Sequence, residues 1–320
     1  MEKSKKLKLI DKFWKLYRKI YKLPKLARIE ACSICQLDCR DCYMRKNSNN
    51  NPIIGNGYLK FDDFKNFIKR NQYIKQIELS FSGEIFLNPD LLDIIKYAYT
   101  EGIILTAHNG VNFNNVSDEI LEALVKYKFK GITISIDGTS NETYKRYRRN
   151  GNYDTVINNI KKLNNYKEKY NSIFPILTWQ YIVFEHNKHE ICNIDEIAKE
   201  LNFARIYLKE AWNNEVKIHE ITRFPLRILT NSKEIIKTFE SINFGLCEQL
   251  WYSPQINWDG TLLGCCCSTH HNLNINVFKT GLKKALSSKK MKLMKNIITG
   301  KEHANDTIAC NWCYLYKIKK

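Results

Sequence analysis

The sequence has no run that approaches the ~20 consecutive apolar residues of a membrane-spanning helix, so we expect a soluble protein. No signal-peptide pattern precedes the first cysteines, and the cysteine count of 11 is odd. Chains of this kind usually keep their thiols reduced in the cytosol, so we expect a cytoplasmic protein without a disulfide framework. Acidic residues are also scarce, with 33 against 51 lysines and arginines, which gives a formal net charge of +18.

Part of the excess positive charge lies in residues 1–25, which we interpret as a basic amphipathic helix. Such a helix can lie on an anionic membrane surface, or it can pack its apolar stripe against the rest of the protein. Both interpretations remain open. The stripe consists of Leu9, Phe13, Trp14, Leu16, Tyr17, Ile20 and Tyr21.

Three closely spaced cysteines, Cys35, Cys39 and Cys42, follow an apolar run over residues 26–34 that predicts a strand. Three thiolates can bind three irons of a four-iron cluster, which leaves the fourth iron able to bind another molecule. A zinc site is the alternative, because a second cysteine pair exists at Cys310 and Cys313. That pair lies at the opposite end of the chain, which is unlike the spacing of a zinc ribbon.

The segment Cys35-Gln-Leu-Asp-Cys39-Arg-Asp-Cys42-Tyr43 resembles the signature of radical S-adenosylmethionine (radical SAM) enzymes. The resemblance implies that the cysteines hold a [4Fe–4S] cluster whose open iron is chelated by S-adenosylmethionine. Reductive cleavage of that molecule then gives a 5′-deoxyadenosyl radical, which takes a hydrogen atom from the substrate. The family usually has an apolar residue where this chain has Asp41, and we expect Tyr43 to pack beside the adenine instead.

Strand-like and helical patterns alternate through the first two thirds of the chain. This alternation predicts an α/β fold with a parallel sheet, a partial (β/α)6 TIM-like barrel over residues 26–215, with ligands at the carboxyl ends of its strands. The predicted strands are residues 26–34, 74–81, 103–107, 131–136, 176–184 and 204–208, and the predicted helices are residues 61–70, 91–99, 117–127, 153–165 and 194–201.

Polar and glycine residues follow the predicted strands, where ligands are expected. The resemblance implies that Gly83 and Glu84 bind the methionine amino group, that Ser135 meets the methionine carboxylate or the ribose, and that Asn109 lies on the cofactor side. A backbone without a side chain at Gly83 would let the cofactor approach, and the Glu84 carboxylate can accept hydrogen bonds from an ammonium group. Arg148 is interpreted either as a contact to cofactor or substrate, or as part of a solvated basic helix start.

A change in composition marks residues 245–320 as a second module, after a linker over residues 216–244. Residues 254–265 predict a β-hairpin with Asp259-Gly260 at its turn. The module also carries a group of cysteines of its own.

The layout of this second module resembles the auxiliary-cluster domains called SPASM and twitch, and it is closest to the twitch domain of the 2-deoxy-scyllo-inosamine dehydrogenase family. The resemblance implies one auxiliary [4Fe–4S] cluster, because four thiolates close a cluster completely. Spacing favours Cys265 as the ligand, and Cys266 and Cys267 stay open as alternatives. Outside this module, we expect the isolated Cys192 to be buried. The implied ligands are Cys247, Cys265, Cys310 and Cys313.

Three functions remain open from the sequence. The first is a radical SAM oxidoreductase that acts on a small polar or sugar-like molecule, with the auxiliary cluster accepting an electron. The second is a peptide- or protein-modifying radical SAM enzyme, and either enzyme needs an electron donor such as flavodoxin or ferredoxin. The third is a non-catalytic iron–sulfur or zinc protein that binds nucleic acid through its charge. The motifs at the strand ends argue against the third function, so we expect no nucleic-acid partner.

Overall fold

The computed structural model describes residues 23–42, 53–211, 226–228, 247–266, 268, 273–304 and 308–313. Within these ranges a single sheet of nine strands forms the centre of the protein, in the order β7-β6-β5-β4-β3-β2-β1-β8-β9. The strands are β1 Leu26–Ile29, β2 Gln76–Glu78, β3 Ile104–Val111, β4 Gly131–Ser135, β5 Ile176–Val183, β6 Arg205–Glu210, β7 Leu226–Ile228, β8 Gln255–Ile256 and β9 Leu262–Gly264.

The first six strands pair in chain order, and every pairing among them is parallel. β1 and β6 do not pair with each other, so the sheet stays open. The predicted partial barrel is therefore confirmed. The β-branched sequences of β4 and β5 suit this central position, because both strands are buried almost throughout.

Helices connect the parallel strands and cover the outer side of the sheet. The predicted first helix has the bounds expected, with Phe64, Phe67 and Ile68 buried at helical spacing. A helix at Asn141–Tyr147 was not predicted; it is capped by Ser140, whose hydroxyl accepts from the Thr143 N–H. The helices are α1 Phe61–Arg70, α2 Leu91–Thr100, α3 Asp118–Lys126, α4 Asn141–Tyr147, α5 Tyr153–Lys169, α6 Ile194–Glu200, α7 Val277–Thr280, α8 Leu282–Leu286 and α9 Lys289–Ile298.

The predicted carboxyl-terminal hairpin is present, and it is part of the central sheet. β8 and β9 are antiparallel, and Gly260 supplies the positive φ of +86° that their turn requires. β8 pairs in parallel with β1, with Arg28 opposite Gln255 and their side chains joined by a 3.0 Å hydrogen bond. The second module therefore extends the sheet of the first rather than standing apart from it.

Two further observations concern the domain organisation. Inside the predicted linker, β7 pairs antiparallel with β6 and so extends the sheet at its other end. The proposed amino-terminal helix lies in residues 1–25, of which residues 1–22 are outside the described part of the chain. No helix of the described residues is both long enough and apolar enough to span a membrane.

Candidate functional site

The three cysteines of the motif lie in the loop that follows β1. Cys39 is buried, Cys42 is half-buried and Cys35 reaches solvent. Although part of Cys35 is exposed, desolvation of its thiol and the nearby Glu84 carboxylate raise its pKa to about 12, and the thiols of Cys39 and Cys42 add to the shift. The three sulfur atoms are therefore close enough to influence each other electrostatically. Because the thiolate is the metal-binding form, metal binding here must expel protons.

Backbone hydrogen bonds from three other segments hold the cysteine loop in place. Ser33 N–H donates to the carbonyl of Gly57 at 3.0 Å, and Glu84 N–H donates to the carbonyl of Ile34 at 2.8 Å. Asp38 N–H donates to the carbonyl of Arg149 at 3.0 Å. The loop is thus fixed by the chain after the motif, by the turn that follows β2 and by the residues that follow α4. Tyr43 lies outside the described residues, so its predicted role stays a prediction.

The turn at Gly83 packs directly against the cysteine loop. A Cβ atom on Gly83 would lie 2.2 Å from the carbonyl oxygen of Cys32 and 2.7 Å from that of Ile34. These are backbone atoms, which cannot step aside as a flexible side chain does. We expected glycine here so that a cofactor can approach; the structure adds a different reason, which is the close contact between two backbone segments.

Glu84 follows this turn and is 1% exposed. Its carboxylate accepts hydrogen bonds from the N–H of Asn112 at 2.6 Å and from that of Phe86 at 3.3 Å. Burial raises the pKa of Glu84 to about 7, against the lowering effect of these hydrogen bonds and of Arg148. A carboxylate in this setting can accept a further hydrogen bond from a cation, because a positive partner relieves the cost of its burial.

A second buried carboxylate, Glu30, was missed by the sequence analysis. It is fully buried and accepts from Ser82 N–H at 2.8 Å, Ser82 Oγ at 2.9 Å and Gly83 N–H at 3.1 Å. Glu30 therefore positions the turn that carries Gly83 and Glu84. The signal that could have revealed it is an acidic residue inside the apolar run over residues 26–34, because a charge in such a run needs buried partners.

Asn112 is also part of the site and was also missed. Its amide donates to Cys35 Sγ at 3.6 Å, and its Oδ1 accepts from Gln36 Nε2 at 3.0 Å. The predicted Asn109 is exposed, and its amide donates to the carbonyl of Phe81 at 3.4 Å. Asn109 lies within β3 rather than after it, because β3 continues to Val111 with an irregular register.

Arg148 is not on a solvated helix start, so that alternative is wrong. Its Nε donates to Asp137 Oδ2 at 2.5 Å, its side chain is 13% exposed, and that of Asp137 is 0% exposed. Burial alone would lower the pKa of Arg148, but Asp137 raises it well above its usual value. Another nitrogen of the guanidinium, Nη1, lies 3.9 Å from Cys39 Sγ. Arg148 therefore places a permanent positive charge beside a thiol of the motif.

Ser135, at the end of β4, is 1% exposed, and its hydroxyl accepts from Gln180 Nε2 at 3.0 Å. The hydroxyl faces Gly110, where a Cβ atom would approach Ser135 Oγ to 2.5 Å. The structure therefore places Ser135 directly across from Gly110. Its predicted contact to a cofactor stays a prediction.

The four cysteines of the second module gather at one place. Cys265 and Cys310 are buried, and Cys247 and Cys313 pack against the same apolar cluster. Burial, and then the thiols of Cys265, Cys313 and Cys310, raise the pKa of Cys247. The neighbouring Cys266 is exposed instead.

Two other predictions about single cysteines have different outcomes. Cys267 lies outside the described residues. Cys192, which we expected to be buried, is exposed, because it ends a 3₁₀ turn at Lys188–Cys192 on the surface.

The chemistry of these donor sets fits iron–sulfur clusters, whose irons are held by cysteine thiolates. Among the described residues, no three His, Cys, Asp or Glu side chains are close enough together to hold one metal ion. The first set offers three thiols, which matches a cluster with one iron left open. The second set offers four thiols, which matches a cluster in which every iron has a protein ligand.

The two cysteine groups are joined by a small contact between the hairpin and the first loop. Trp258 Nε1 donates to the carbonyl of Ile54 at 2.8 Å. Ile54 and Leu263 form an apolar cluster against which Cys42 packs. The hairpin that leads to Cys265 therefore also touches the loop of the first motif.

Comparisons with known proteins agree with this arrangement. The profile of the Radical SAM superfamily matches residues 29–182. An AdoMet-dependent heme synthase from Methanosarcina barkeri is 30% identical over 181 residues, which are 56% of this chain and 48% of that protein. A cysteine-type anaerobic sulfatase-maturating enzyme from Clostridium novyi is 25% identical over 181 residues, 53% of this chain and 45% of that protein. The match thus spans about half the length of these relatives.

A solved structure has a similar fold. Streptococcus suis SuiB bound to its precursor peptide SuiA superposes with a TM-score of 0.64 at 13% identity, covering 92% of this chain and 71% of that one. At this identity the likeness concerns the fold alone.

Proposed function

We propose that the chain is a member of the radical SAM superfamily, whose cofactors are a [4Fe–4S] cluster and S-adenosylmethionine, and that Cys35, Cys39 and Cys42 hold its cluster. The observation that carries the proposal is the grouping of these three thiols with two charged side chains, Glu84 and Arg148, at the carboxyl ends of parallel strands. When bound, the cluster and S-adenosylmethionine supply a 5′-deoxyadenosyl radical that abstracts hydrogen from the substrate.

The residues of this chain would then have separate tasks. Glu84 accepts hydrogen bonds from the methionine ammonium group, since its buried carboxylate is stabilised by a positive partner. Arg148 offsets negative charge at Cys39. Glu30 acts as a positioning residue through its hydrogen bonds to Ser82 and Gly83.

We propose further that Cys247, Cys265, Cys310 and Cys313 hold one auxiliary [4Fe–4S] cluster. The burial of Cys265 beside the other three thiols supports its choice over the exposed Cys266. Four thiolates leave no iron open, so this centre suits electron transfer rather than substrate binding.

For the substrate, a small polar molecule is the first candidate. A cavity of about 300 Å³, which is the lower end of the range for small-molecule sites, lies among β3, β4, β5 and β6. Six of its seven lining residues carry side chains that can form hydrogen bonds, although most of the lining surface is apolar, and Ile176 and Arg205 place it nearer the amino ends of β5 and β6 than the cysteine loop. The lining residues are His108, Thr133, Ile176, Thr178, Gln180, Arg205 and Tyr207. The reaction on such a molecule would be an oxidation, with the auxiliary cluster as electron acceptor.

A peptide substrate is the second candidate, because two comparisons point to it. One relative is named as a sulfatase-maturating enzyme, and the similar fold of SuiB is bound to a precursor peptide. Perdeuterated cell extract, separated into peptide and small-molecule fractions, distinguishes the two candidates. Deuterium appears in 5′-deoxyadenosine only with the fraction that contains the substrate, because the radical takes its hydrogen atom from that molecule.

Single cysteine variants test the assignment of the first cluster. After anaerobic reconstitution, we expect about eight irons per chain and formation of 5′-deoxyadenosine under reduction. Cys35→Ala, Cys39→Ala and Cys42→Ala should each abolish that product, because each removes a ligand. Cys192→Ala is the matched control, since Cys192 is an exposed cysteine outside both groups. Product formation by any of the three variants at the rate of the control would contradict the assignment.

A further inference from the structure

A row of polar side chains crosses three neighbouring strands inside the cavity among β3, β4, β5 and β6. Thr133 of β4 lies opposite Thr178 of β5 in the sheet register, and Thr178 lies opposite Arg205 of β6. All three side chains line the same cavity. Because neighbouring strands are roughly 4.8 Å apart, the three Cα atoms lie side by side over about 10 Å. We call these three residues the polar row.

The two hydroxyls of the polar row are not used by the protein itself. Thr133 is 5% exposed, and within the part of the chain that the structure describes neither its hydroxyl nor that of Thr178 has a hydrogen-bond partner. The other two buried threonines of the described residues, Thr106 and Thr143, each donate to a carboxylate, at 2.7 Å and 2.8 Å. Buried polar groups are rarely left unpaired, so we expect polar atoms of a ligand in the cavity to complete these hydrogen bonds.

The charge of the polar row selects an anion. Arg205 is 8% exposed, and no acidic residue is among the described residues that line the cavity. Burial lowers the pKa of the lining residue His108, with a smaller contribution from Arg205, so that ring is uncharged near pH 7. Glu78 opposes this shift, but its carboxylate already accepts hydrogen bonds from the hydroxyls of Ser80 and Thr106. The cavity therefore presents one guanidinium and two hydroxyls to a ligand.

The donors of the polar row match the oxygens of a carboxylate or a phosphate. A guanidinium has five N–H donors in a planar fork, and a carboxylate or phosphate takes two of them in a bidentate pair. Arg205 can therefore bind such a group even while it also serves a protein partner. The threonine hydroxyls can donate to the same oxygens. A neutral sugar can meet the hydroxyls, but it gains nothing from the positive charge, and a cation is repelled by it.

We propose that the polar row binds a carboxylate or phosphate group of the substrate, so that the substrate is a small anion. The inference rests on the proposed function, in which this cavity holds a small-molecule substrate. Such a molecule can enter beside β6, because the lining residue Tyr207 is 39% exposed.

The position of the polar row suits one end of such a molecule. Ile182 lies four residues beyond Thr178 on β5, which is about 13 Å further towards the carboxyl ends of the strands. There its N–H donates to Asp137, the partner of Arg148. Gln180 lines the cavity between these two levels. The anionic group therefore occupies the end of the substrate that is remote from the cysteine loop, and the reactive carbon lies towards Arg148.

Binding of inorganic phosphate to the reconstituted full-length protein tests the polar row independently of the reaction. Equilibrium dialysis with radiolabelled phosphate at constant ionic strength should show saturable binding to the unaltered protein. Arg205→Gln should raise the Kd at least ~10-fold, because it removes charge-assisted hydrogen bonds. Thr178→Val should raise it about 3- to 10-fold, because one hydrogen bond to a charged group is lost. Competition by methyl phosphate and by acetate then shows which anionic group the row prefers.

Two matched pairs of variants separate the polar row from overall charge and from folding. Arg146→Gln removes the same charge from an exposed arginine on α4, and its Kd should stay within about twofold of the unaltered protein. An equal loss in Arg146→Gln and Arg205→Gln would overturn the proposal. Thr178→Ser keeps the hydroxyl that Thr178→Val removes, so this pair decides the matter even where loss of the buried arginine disturbs folding. Equal phosphate binding by the two threonine variants would also contradict the proposal.

Anion exchange of the perdeuterated small-molecule fraction links the polar row to the substrate. Deuterium should enter 5′-deoxyadenosine only with the retained, anionic fraction, and Arg205→Gln should need at least ~10-fold more of that fraction for its half-maximal rate. Transfer from the unretained fraction, or from peptides alone, would overturn the proposal even where phosphate binds. Failure of the proposed function looks different: no 5′-deoxyadenosine then forms under dithionite with any fraction, whereas the Kd for phosphate still tests the row.

Discussion

Replacing Gly83 with alanine should disable the first cluster without removing any ligand. The added methyl group would lie 2.2 Å from the carbonyl oxygen of Cys32, 2.6 Å from the carbonyl carbon of Ser33 and 2.7 Å from the carbonyl oxygen of Ile34. Ordinary contacts of a Cβ atom begin near 3.4 Å. The turn and the cysteine loop must therefore separate by about 1 Å, which is the difference between these distances.

The size of the effect follows from the atoms that clash. Overpacking by one methyl group typically costs 1–3 kcal/mol, and we expect about 3 kcal/mol because all three neighbours are backbone atoms. Separation of the two segments also moves Glu84, whose N–H donates to the carbonyl of Ile34. A loss of about 1.4 kcal/mol in the binding of S-adenosylmethionine corresponds to a tenfold higher Kd, and we expect at least that.

Iron content measures how much of the cluster assembles, and urea unfolding measures the loss of stability. The Kd for S-adenosylmethionine measures the loss of cofactor binding. Gly102→Ala is the matched control. Gly102 has a φ of +66° and no heavy atom within 4 Å of an added Cβ. That variant should lose about 1–2 kcal/mol of stability through backbone strain alone and should keep its iron. If Gly83→Ala binds iron and S-adenosylmethionine as well as Gly102→Ala does, close contact between the two backbone segments is not what places glycine at this position.

Two further predictions concern the auxiliary cysteines and the buried ion pair. Cys310→Ala should lower reconstituted iron by roughly half, whereas Cys266→Ala should leave it unchanged, because only Cys310 is buried with the other thiols; equal iron in the two variants would count against this ligand set. Arg148→Met should cost about 3–5 kcal/mol in urea unfolding, since it leaves the carboxylate of Asp137 buried without its partner. Adding Asp137→Asn should recover part of that loss, and simple additivity of the two changes would show that the pair is not coupled.

The sequence predicted the elements of the barrel well because their signals are local. The apolar spacing of residues 61–70 and the cap at Ser117 depend on a few neighbouring positions, and both helices formed close to their predicted bounds. Strand ends were less accurate, because β3 continues through the glycine-containing segment that we expected to follow it. In that segment the register with β4 shifts between Ala107 and Val111, and Gly110 adopts a φ of +98°, so the glycine forms an irregularity within the strand instead of a turn after it.

The supporting residues of the site were missed for a related reason. Glu30 holds Ser82 across 52 positions of the chain. Asn112 reaches Cys35 across 77 positions. Such partners leave no periodic pattern in the sequence, since they meet only when parallel strands align their carboxyl ends.

The sequence by itself predicted two separate groups of thiols, because the spacing of Cys35, Cys39 and Cys42 and the second group around Cys310 are properties of the chain. It also determined the alternation of strand and helix, and with it the parallel sheet. Only the tertiary structure decided that the carboxyl-terminal hairpin joins β1 and that Arg148 is buried between Asp137 and a thiol of the first motif. The physical reason is that sequence spacing fixes local geometry, whereas charge neutralisation and close contact depend on which distant segments pack together.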